Sequence, residues 1–199
     1  MRDDVKKAIL ESFDIRKHAA ELQIERGMSD TGQRSQVTSG KHLDGIANII
    51  AADIEACGVG SKDIHTGNTN MELPGWFRAT KKWDILALRG NDLIAAVELK
   101  SIYGSYGNNL NNRAEEAVGE STDAMYSVDR KLMNTTTPPL FAYALIVKKD
   151  QKSSSKCNAP KEPFFKADPV FTDTSYIERF EILCQRLRRE GLFGAVWFV

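Results

Sequence analysis

Three side chains near the middle of the sequence have the types and the spacing needed to hydrolyse a phosphodiester bond. Asp84 lies in the apolar segment KWDILAL, and Glu98 and Lys100 flank Leu99 where a second apolar segment, DLIAAVEL, ends. Two carboxylates that are held close together repel each other, and a divalent cation such as Mg²⁺ relieves that repulsion. A neighbouring lysine can then orient or deprotonate the attacking water, or stabilise charge on the phosphate.

The turn between the two apolar segments decides whether these side chains meet. The linking residues RGND predict a β-hairpin. A two-residue turn over 90–91 would place Asp84 and Glu98 on different faces of the sheet. A three-residue turn over 90–92 would instead pair them directly across the two strands, on the same face. We predict the three-residue turn, with the two carboxylates and Lys100 converging at one end of the sheet.

The spacing of Glu98 and Lys100 is not specific by itself. An acidic residue two positions before a lysine also occurs at 4–6, 129–131 and 150–152. Only the pair at 98–100 ends an apolar strand whose predicted partner carries a carboxylate of its own. The same pair also fits a strand end that emerges into solvent, and the strand pattern does not choose between these readings.

Polar and basic residues on both sides of the predicted hairpin indicate contacts with DNA. Asparagine can read adenine, and arginine can read guanine or contact phosphates. The candidates are Asn108, Asn109, Asn111, Asn112, Arg113, Arg78, Lys81, Lys82, Lys148 and Lys149. Each of them also fits a turn, a helix cap or a solvated surface, and Asn112 is predicted to cap the helix that follows. Asp44, in KHLDG, is the first candidate for a third carboxylate at the metal.

The composition is that of an ordinary globular domain. The chain has 199 residues, of which 42% are hydrophobic and 27% charged, and its formal net charge is zero. A neutral chain is a poor candidate for a protein that coats nucleic acid without specificity. The three scattered cysteines predict a reducing, cytoplasmic environment and argue against a disulfide scaffold or a zinc site. No apolar run has the length of a membrane span.

Hydrophobic periodicity predicts helices that alternate with strands. Helices are expected over 3–25, 41–57, 112–133 and 173–190, and strands over 82–88, 92–99, 138–147 and 193–199. This order predicts an α/β fold in which helices flank a mixed β-sheet on both faces.

Several stretches together resemble a known family. The segments LPGWFRATKKWDILAL, AAVELKSIYGSYGNNLNNRAEEAVGES and YIERFEILCQRL are similar to the XhoI-type restriction endonucleases, from about Val37 to about Glu190. The arrangement of Asp84, Glu98 and Lys100 also matches the PD-(D/E)XK nuclease signature, with Trp83 where a proline usually stands. The long stretch that begins at Glu98 is far more specific than that bare signature.

The resemblance implies a prokaryotic, cytoplasmic type II restriction endonuclease with a PD-(D/E)XK core. Asp84, Glu98 and the Leu99 backbone carbonyl would bind Mg²⁺, and Lys100 would position or activate the attacking water. The family cuts duplex DNA at the palindrome CTCGAG and leaves 5′-phosphates. A palindrome implies a homodimer, because twofold protein symmetry matches twofold DNA symmetry. A DNA methyltransferase is expected as a genetic neighbour.

The expected organisation is a single endonuclease domain over 1–199. Within it, 1–40 form a helical extension and a polar loop, 41–147 the catalytic core, and 148–199 a basic loop, a helix and the final strand. Three alternatives remain open from the sequence. They are a repair or junction-resolving nuclease on the same core, an inactive DNA-binding protein with this fold, and an α/β interaction domain whose hairpin charges are merely exposed.

Overall fold

The structure, a computed structural model, describes residues 1–25, 41–67, 71–159, 161–162 and 164–199. The polar loop expected over 27–40 lies outside the described residues. The helices are α1 Asp3–Glu25, α2 Asp44–Ala56, α3 Tyr106–Asp129, α4 Gln151–Ser154 and α5 Tyr176–Arg189. The strands are β1 Ile64–Thr66, β2 Glu72–Pro74, β3 Thr80–Lys82, β4 Ile85–Arg89, β5 Asp92–Ile102, β6 Leu140–Val147 and β7 Ala195–Phe198.

The central element is a five-stranded mixed sheet in the order β1-β4-β5-β6-β7. Strand β5 pairs antiparallel with β4 and parallel with β6, and it is buried along most of its length. Strands β2 and β3 form a separate two-stranded hairpin beside it. The predicted α/β class with a mixed sheet flanked by helices is confirmed.

Alternate residues of β5 pack against different helices, because successive side chains of a strand point to opposite faces. One face, with Ala96 and Ile102, belongs to a core that includes residues of α3 and α5, among them Ala117 and Phe180. The other face, with Val97 and Leu99, packs against Ala47 and other residues of α2. Glu98 and Lys100 therefore belong to the face that α3 and α5 cover.

The hairpin between β4 and β5 has a shorter turn than predicted. Arg89 pairs with Asp92, so the turn contains Gly90 and Asn91 alone, and Gly90 has the positive φ of 62° that favours glycine. The predicted three-residue turn is wrong.

A β-bulge nevertheless produces the predicted opposition of the carboxylates. The register shifts by one residue between Leu88, which pairs with Leu93, and Ala87, which pairs with Ala95. Ile94 is the extra residue, and it packs with Ala95 in the same small cluster against Val59. After the bulge, Ile85 pairs with Val97, which sets Asp84 opposite Glu98. The bulge at Ile94 thus produces the one-residue shift of register that the longer turn was predicted to produce.

Helix α3 begins earlier than predicted. It starts at Tyr106, and Asn112 lies in its second turn rather than at its N-cap. Tyr106 fixes this start, because its ring is buried beside Tyr176 and its hydroxyl donates to Asp150 Oδ2 at 2.8 Å. The asparagine-rich segment is consequently helical and not a loop.

Candidate active site

Asp84 lies just before β4, where the ladder between β4 and β5 ends. Its backbone N–H donates to the Val97 carbonyl at 3.1 Å, and its Oδ2 accepts the Leu99 N–H at 2.7 Å. The N–H and C=O of one residue in an extended strand point toward the same neighbouring strand. The Leu99 carbonyl therefore lies on the same edge of β5 as the Asp84 carboxylate.

Glu98 lies between two lysines on the α3 side of the sheet. Its Oε2 accepts from Lys81 Nζ at 2.7 Å, and its Oε1 accepts from Lys100 Nζ. Lys81 enters from the hairpin formed by β2 and β3, and its side chain is 8% exposed. It also donates to the Lys82 carbonyl at 3.1 Å and lies 4.6 Å from the centre of the Trp83 ring.

Helix α3, which covers this face of the sheet, adds the carboxylates of Glu116 and Glu120 to the charged cluster. Glu120 Oε1 lies 3.2 Å from Lys81 Nζ and 3.9 Å from Lys100 Nζ. Glu116 Oε2 is also 3.9 Å from Lys100 Nζ, and Glu116 is paired with Arg113 at 2.6 Å. The cluster around Glu98 is therefore a network of alternating charges that spans the β2–β3 hairpin, β5 and α3.

Three buried polar atoms around this network have no hydrogen-bond partner among the described residues. They are Glu120 Oε2, Arg113 Nε and the hydroxyl of Tyr143. Tyr143 lies beside Glu98 in the β5–β6 register, and burial raises its pKa well above the usual value. Unsatisfied buried polar groups are costly, and they cluster where a protein performs chemistry.

Burial and mutual repulsion perturb the carboxylates of this site. Burial, and then the charge of Glu98, raise the pKa of Asp84 to about 6. The same two causes raise the pKa of Glu120. Burial alone would lower the pKa of Lys100, but the charges of Glu98 and Glu120 outweigh it and raise that pKa. Strongly perturbed carboxylates of this kind, beside a lysine that stays charged, are typical of a site that binds a cation or transfers protons.

The residues present fit a hard divalent cation. Asp84 accepts one hydrogen bond through Oδ2 and stands opposite Glu98, while the Leu99 carbonyl lies on the adjoining edge of β5. Mg²⁺ commonly takes only one or two protein carboxylates and completes its shell with water and phosphate oxygens. Within the described part of the chain, no group of three or more His, Cys, Asp or Glu residues is arranged to hold a metal. The fit therefore rests on two carboxylates and one carbonyl.

Two of the sequence-predicted roles need correction. Lys81 is a predicted DNA contact, but the structure does not place it at the surface, because its ammonium is buried and paired with Glu98 and Glu120. Asp44 was expected as a third carboxylate, but it is exposed on α2, which packs against the opposite face of the sheet. The structure therefore does not bring Asp44 to the face that carries Glu98.

The asparagine cluster is divided by the helix into two faces. Asn108, Asn111 and Asn112 are exposed on the first turns of α3. Asn109 is half-buried and donates to the Gly104 carbonyl at 2.7 Å, so its amide helps to fix the helix start. Arg113, one turn after Asn109, points toward Glu116 and the lysine network.

The remaining basic candidates lie at or near the surface. Arg78 donates through Nε to Asp123 Oδ2 at 2.7 Å, and its side chain is 42% exposed. Lys82, Lys148 and Lys149 are exposed, and Lys148 Nζ lies 3.8 Å from Asp150. Their exposure distinguishes them from Lys81, whose ammonium is buried.

Glu120 and the buried role of Lys81 were not recognised from the sequence. A helical signal for Glu120 existed, because Arg113, Glu116 and Glu120 follow one another at intervals of three and four residues. The predicted helix over 112–133 contains all three residues, but only the folded chain brings Glu120 to Lys81 and Lys100. Nothing in the local sequence distinguishes Lys81 from Lys82, because the short β3 strand alone decides which of them points inward.

The comparisons with known proteins decide the family. The family model described as restriction endonuclease XhoI matches residues 22–199.

The chain belongs to the XhoI restriction endonuclease family.

Relatives in this family are similar over most of their length. The type II restriction enzyme BstVI of Geobacillus stearothermophilus is 40% identical over 79% of this chain and 72% of its own. The type II restriction enzyme XhoI of Xanthomonas vasicola is 36% identical over 92% of this chain and 73% of its own. AbrI, a type II restriction enzyme of Azospirillum brasilense, is 33% identical over 81% of this chain and 72% of its own.

These matches confirm the resemblance and the expectation of a restriction enzyme. No solved structure matches the chain. Among the described residues of this XhoI family member, no helix is both long and apolar enough to cross a membrane.

Proposed function

We propose that this chain hydrolyses double-stranded DNA in the presence of Mg²⁺ at a short palindrome and leaves 5′-phosphates. The observation that carries the proposal is the opposition of Asp84 and Glu98 across the β4–β5 hairpin, with Lys100 bound to Glu98, in a member of the XhoI restriction endonuclease family. All three members of the set, two carboxylates and a lysine, are present, and this argues against an inactive DNA-binding protein.

Each residue of the site has a distinct role in this proposal. Asp84, Glu98 and the Leu99 carbonyl would hold Mg²⁺, which when bound would supply acidification of a water and charge stabilisation on the phosphate. Lys100 orients the attacking water or takes its proton, and Lys81 holds Glu98 from the buried side. The bond to the Leu99 N–H fixes the Asp84 carboxylate at the edge of β5, so the ligands are oriented before substrate arrives.

The recognition sequence CTCGAG is proposed from the resemblance to XhoI-type enzymes. The two equal half-sites of a palindrome match the twofold symmetry of a homodimer, which would bring one active site to each strand. The exposed amides of Asn108, Asn111 and Asn112, with Arg78, Lys82, Lys148 and Lys149, are the proposed DNA contacts. The expected setting is the prokaryotic cytoplasm, beside a methyltransferase gene that protects the host sites.

Plasmid cleavage tests the proposal. Wild type, Glu98→Ala and the control Glu181→Ala, which changes an exposed residue of α5, are incubated with plasmid in Mg²⁺ or in EDTA. Discrete fragments are expected for wild type and the control in Mg²⁺ alone. A fragment pattern that maps to CTCGAG supports the proposed site, and a different map replaces it.

Two outcomes would contradict the proposal. Full activity of Glu98→Ala would remove Glu98 from the site. Cleavage confined to branched or damaged DNA would identify a repair or junction-resolving nuclease instead.

A further inference from the structure

Glu120 is a buried carboxylate of the charged cluster, and one of its two oxygens makes no hydrogen bond within the described part of the chain. It is 9% exposed, it projects from α3 toward both lysines, and only its Oε1 is engaged. Its Oε2 is a buried carboxylate oxygen without a hydrogen-bond partner among the described residues. A buried acceptor without a partner costs free energy in this state, and its use in another state of the protein would explain why that cost is tolerated.

Lys100 must change partners for Glu98 to bind a cation. In this structure the Lys100 ammonium is bound to Glu98 Oε1, while Lys81 holds Oε2. A divalent cation at Glu98 would place three positive groups around one carboxylate, and like charges at such distances repel strongly. Lys81 is the more firmly held of the two lysines, because it is also paired with Glu120 and its side chain is 8% exposed, against 19% for Lys100.

The acceptors within reach of a displaced Lys100 are both on α3. Glu116 and Glu120 each have an oxygen 3.9 Å from Lys100 Nζ. Glu116 is already paired with Arg113, and its side chain is 40% exposed, so solvent weakens its attraction for an ammonium. Glu120 is buried and retains its open Oε2.

We propose that Glu120 is a positioning residue that receives the Lys100 ammonium when Glu98 turns its Oε1 to a divalent cation. This inference rests on the proposed function of Asp84, Glu98 and Lys100. Glu120 then holds the Lys100 ammonium beside the cation, and Lys100 no longer competes with the cation for Glu98. Removing the Glu120 charge therefore weakens cation binding and misplaces Lys100 in the chemical step.

The first test compares Glu120→Gln with the control Glu181→Gln. Calorimetric titration with Mg²⁺ alone measures cation affinity without DNA, and single-turnover cleavage at saturating Mg²⁺ measures the chemical step. Loss of a residue that orients a ligand's partner typically costs about 10–100-fold in metal affinity or activity. We expect losses in that range for Glu120→Gln, with DNA affinity in EDTA unchanged, and none for Glu181→Gln.

A double-mutant cycle shows whether Glu120 acts through Lys100. In a Lys100→Met background, Glu120→Gln is expected to add no further loss of Mg²⁺ affinity or of residual cleavage. Equal losses in both backgrounds would overturn the proposal, because Glu120 would then act through Lys81 or through the fold. Wild-type Mg²⁺ affinity in Glu120→Gln would overturn it as well.

Folding and the proposed function are checked separately. Denaturant unfolding tests whether Glu120→Gln folds like the wild type. If it does not, the cycle is run with Glu120→Asp, which keeps the charge but shortens the side chain. A wild-type protein that binds no Mg²⁺ and cuts no DNA overturns the proposed function and this inference together. An active wild type with no effect at Glu120 overturns the inference alone.

Discussion

The second half of β5 shows opposite chemistry on its two faces. On the side of α3, Glu98 and Lys100 belong to a buried network of ion pairs with Lys81 and Glu120. On the side of α1 and α2, Ser101 accepts or donates a neutral hydrogen bond with His42 at 2.9 Å, and burial lowers the pKa of His42 to about 4. One strand therefore separates a buried network of ion pairs from a second face, called the neutral face here because its histidine is held uncharged beside Arg16.

The difference shows how a chain can hold reactive charges in a stable core. Leu99 and Val97 anchor β5 against the apolar residues of α2, so the strand does not depend on the ion pairs of its other face. The charged face is then free to hold carboxylates with perturbed pKa values and an open acceptor, features that cost stability but suit cation binding. Three changes test this division.

The largest effect on stability is expected when the buried lysine of the charged face is removed. Lys81→Met leaves Glu98 and Glu120 with one fewer cation, and breaking a buried ion pair costs about 3 kcal/mol of unfolding free energy. Lys82→Met, at the exposed neighbour, is the control, since a surface ion pair contributes about 1 kcal/mol or less. Urea denaturation at neutral pH measures both. Equal destabilisation of the two variants would show that the charged face is not buried in solution.

The neutral face is expected to respond to pH. The pKa of His42 falls from 6.5 to about 4 on folding, because of burial and then the charge of Arg16, which Asp44 partly opposes. The unfolded chain therefore binds more protons in that interval, so stability is complete above the unfolded pKa of 6.5 and declines as pH falls toward about 4.

His42→Gln removes the titrating group and retains a hydrogen-bonding side chain for Ser101. We expect the decline of unfolding free energy over that pH interval to become shallower than in wild type. His18→Gln, at an exposed position of α1, serves as the control. An unchanged slope in His42→Gln would mean that the His42 side chain is not held neutral in the folded protein.

The smallest effect is expected from deleting the bulge residue Ile94. Because Ile94 and Ala95 pack in the same cluster, the deletion restores regular alternation and leaves Ala87 paired with Ala95 and Asp84 opposite Glu98. DNA cleavage should therefore persist, with about 1–2 kcal/mol of stability lost from the apolar contacts of Ile94.

An alanine inserted after Ala96 is the control for that deletion, because it is expected to shift the register that the deletion preserves. It moves Glu98 to the neutral face if the upstream pairing is kept, and it should abolish cleavage. Loss of cleavage in the deletion variant, with the fold intact by circular dichroism, would show that the bulge has a further role.

Most of the fold was predictable, because it follows from local periodicity. The apolar segments that form β5 and β6 were predicted, as was a helix over 173–190, which in the structure begins at Tyr176 after a capping box between Ser175 and Glu178. The predicted start of α3 at Asn112 is wrong by six residues, because the helix begins at Tyr106 and includes the asparagine-rich segment. Tyr106 packs against Tyr176, a residue distant in the sequence, so local sequence alone does not set the start of that helix.

The sequence by itself determined that Glu98 and Lys100 share a face of an apolar strand, because that follows from the two-residue repeat of any β-strand. It also determined the family, through the long stretch that begins at Glu98. Only the tertiary structure decided that Asp84 stands opposite Glu98, because the register depends on a bulge at Ile94, whose side chain packs in a cluster with residues distant in the sequence. It also brought Lys81 and Glu120 together on Glu98, since the β2–β3 hairpin and α3 meet only in the folded chain.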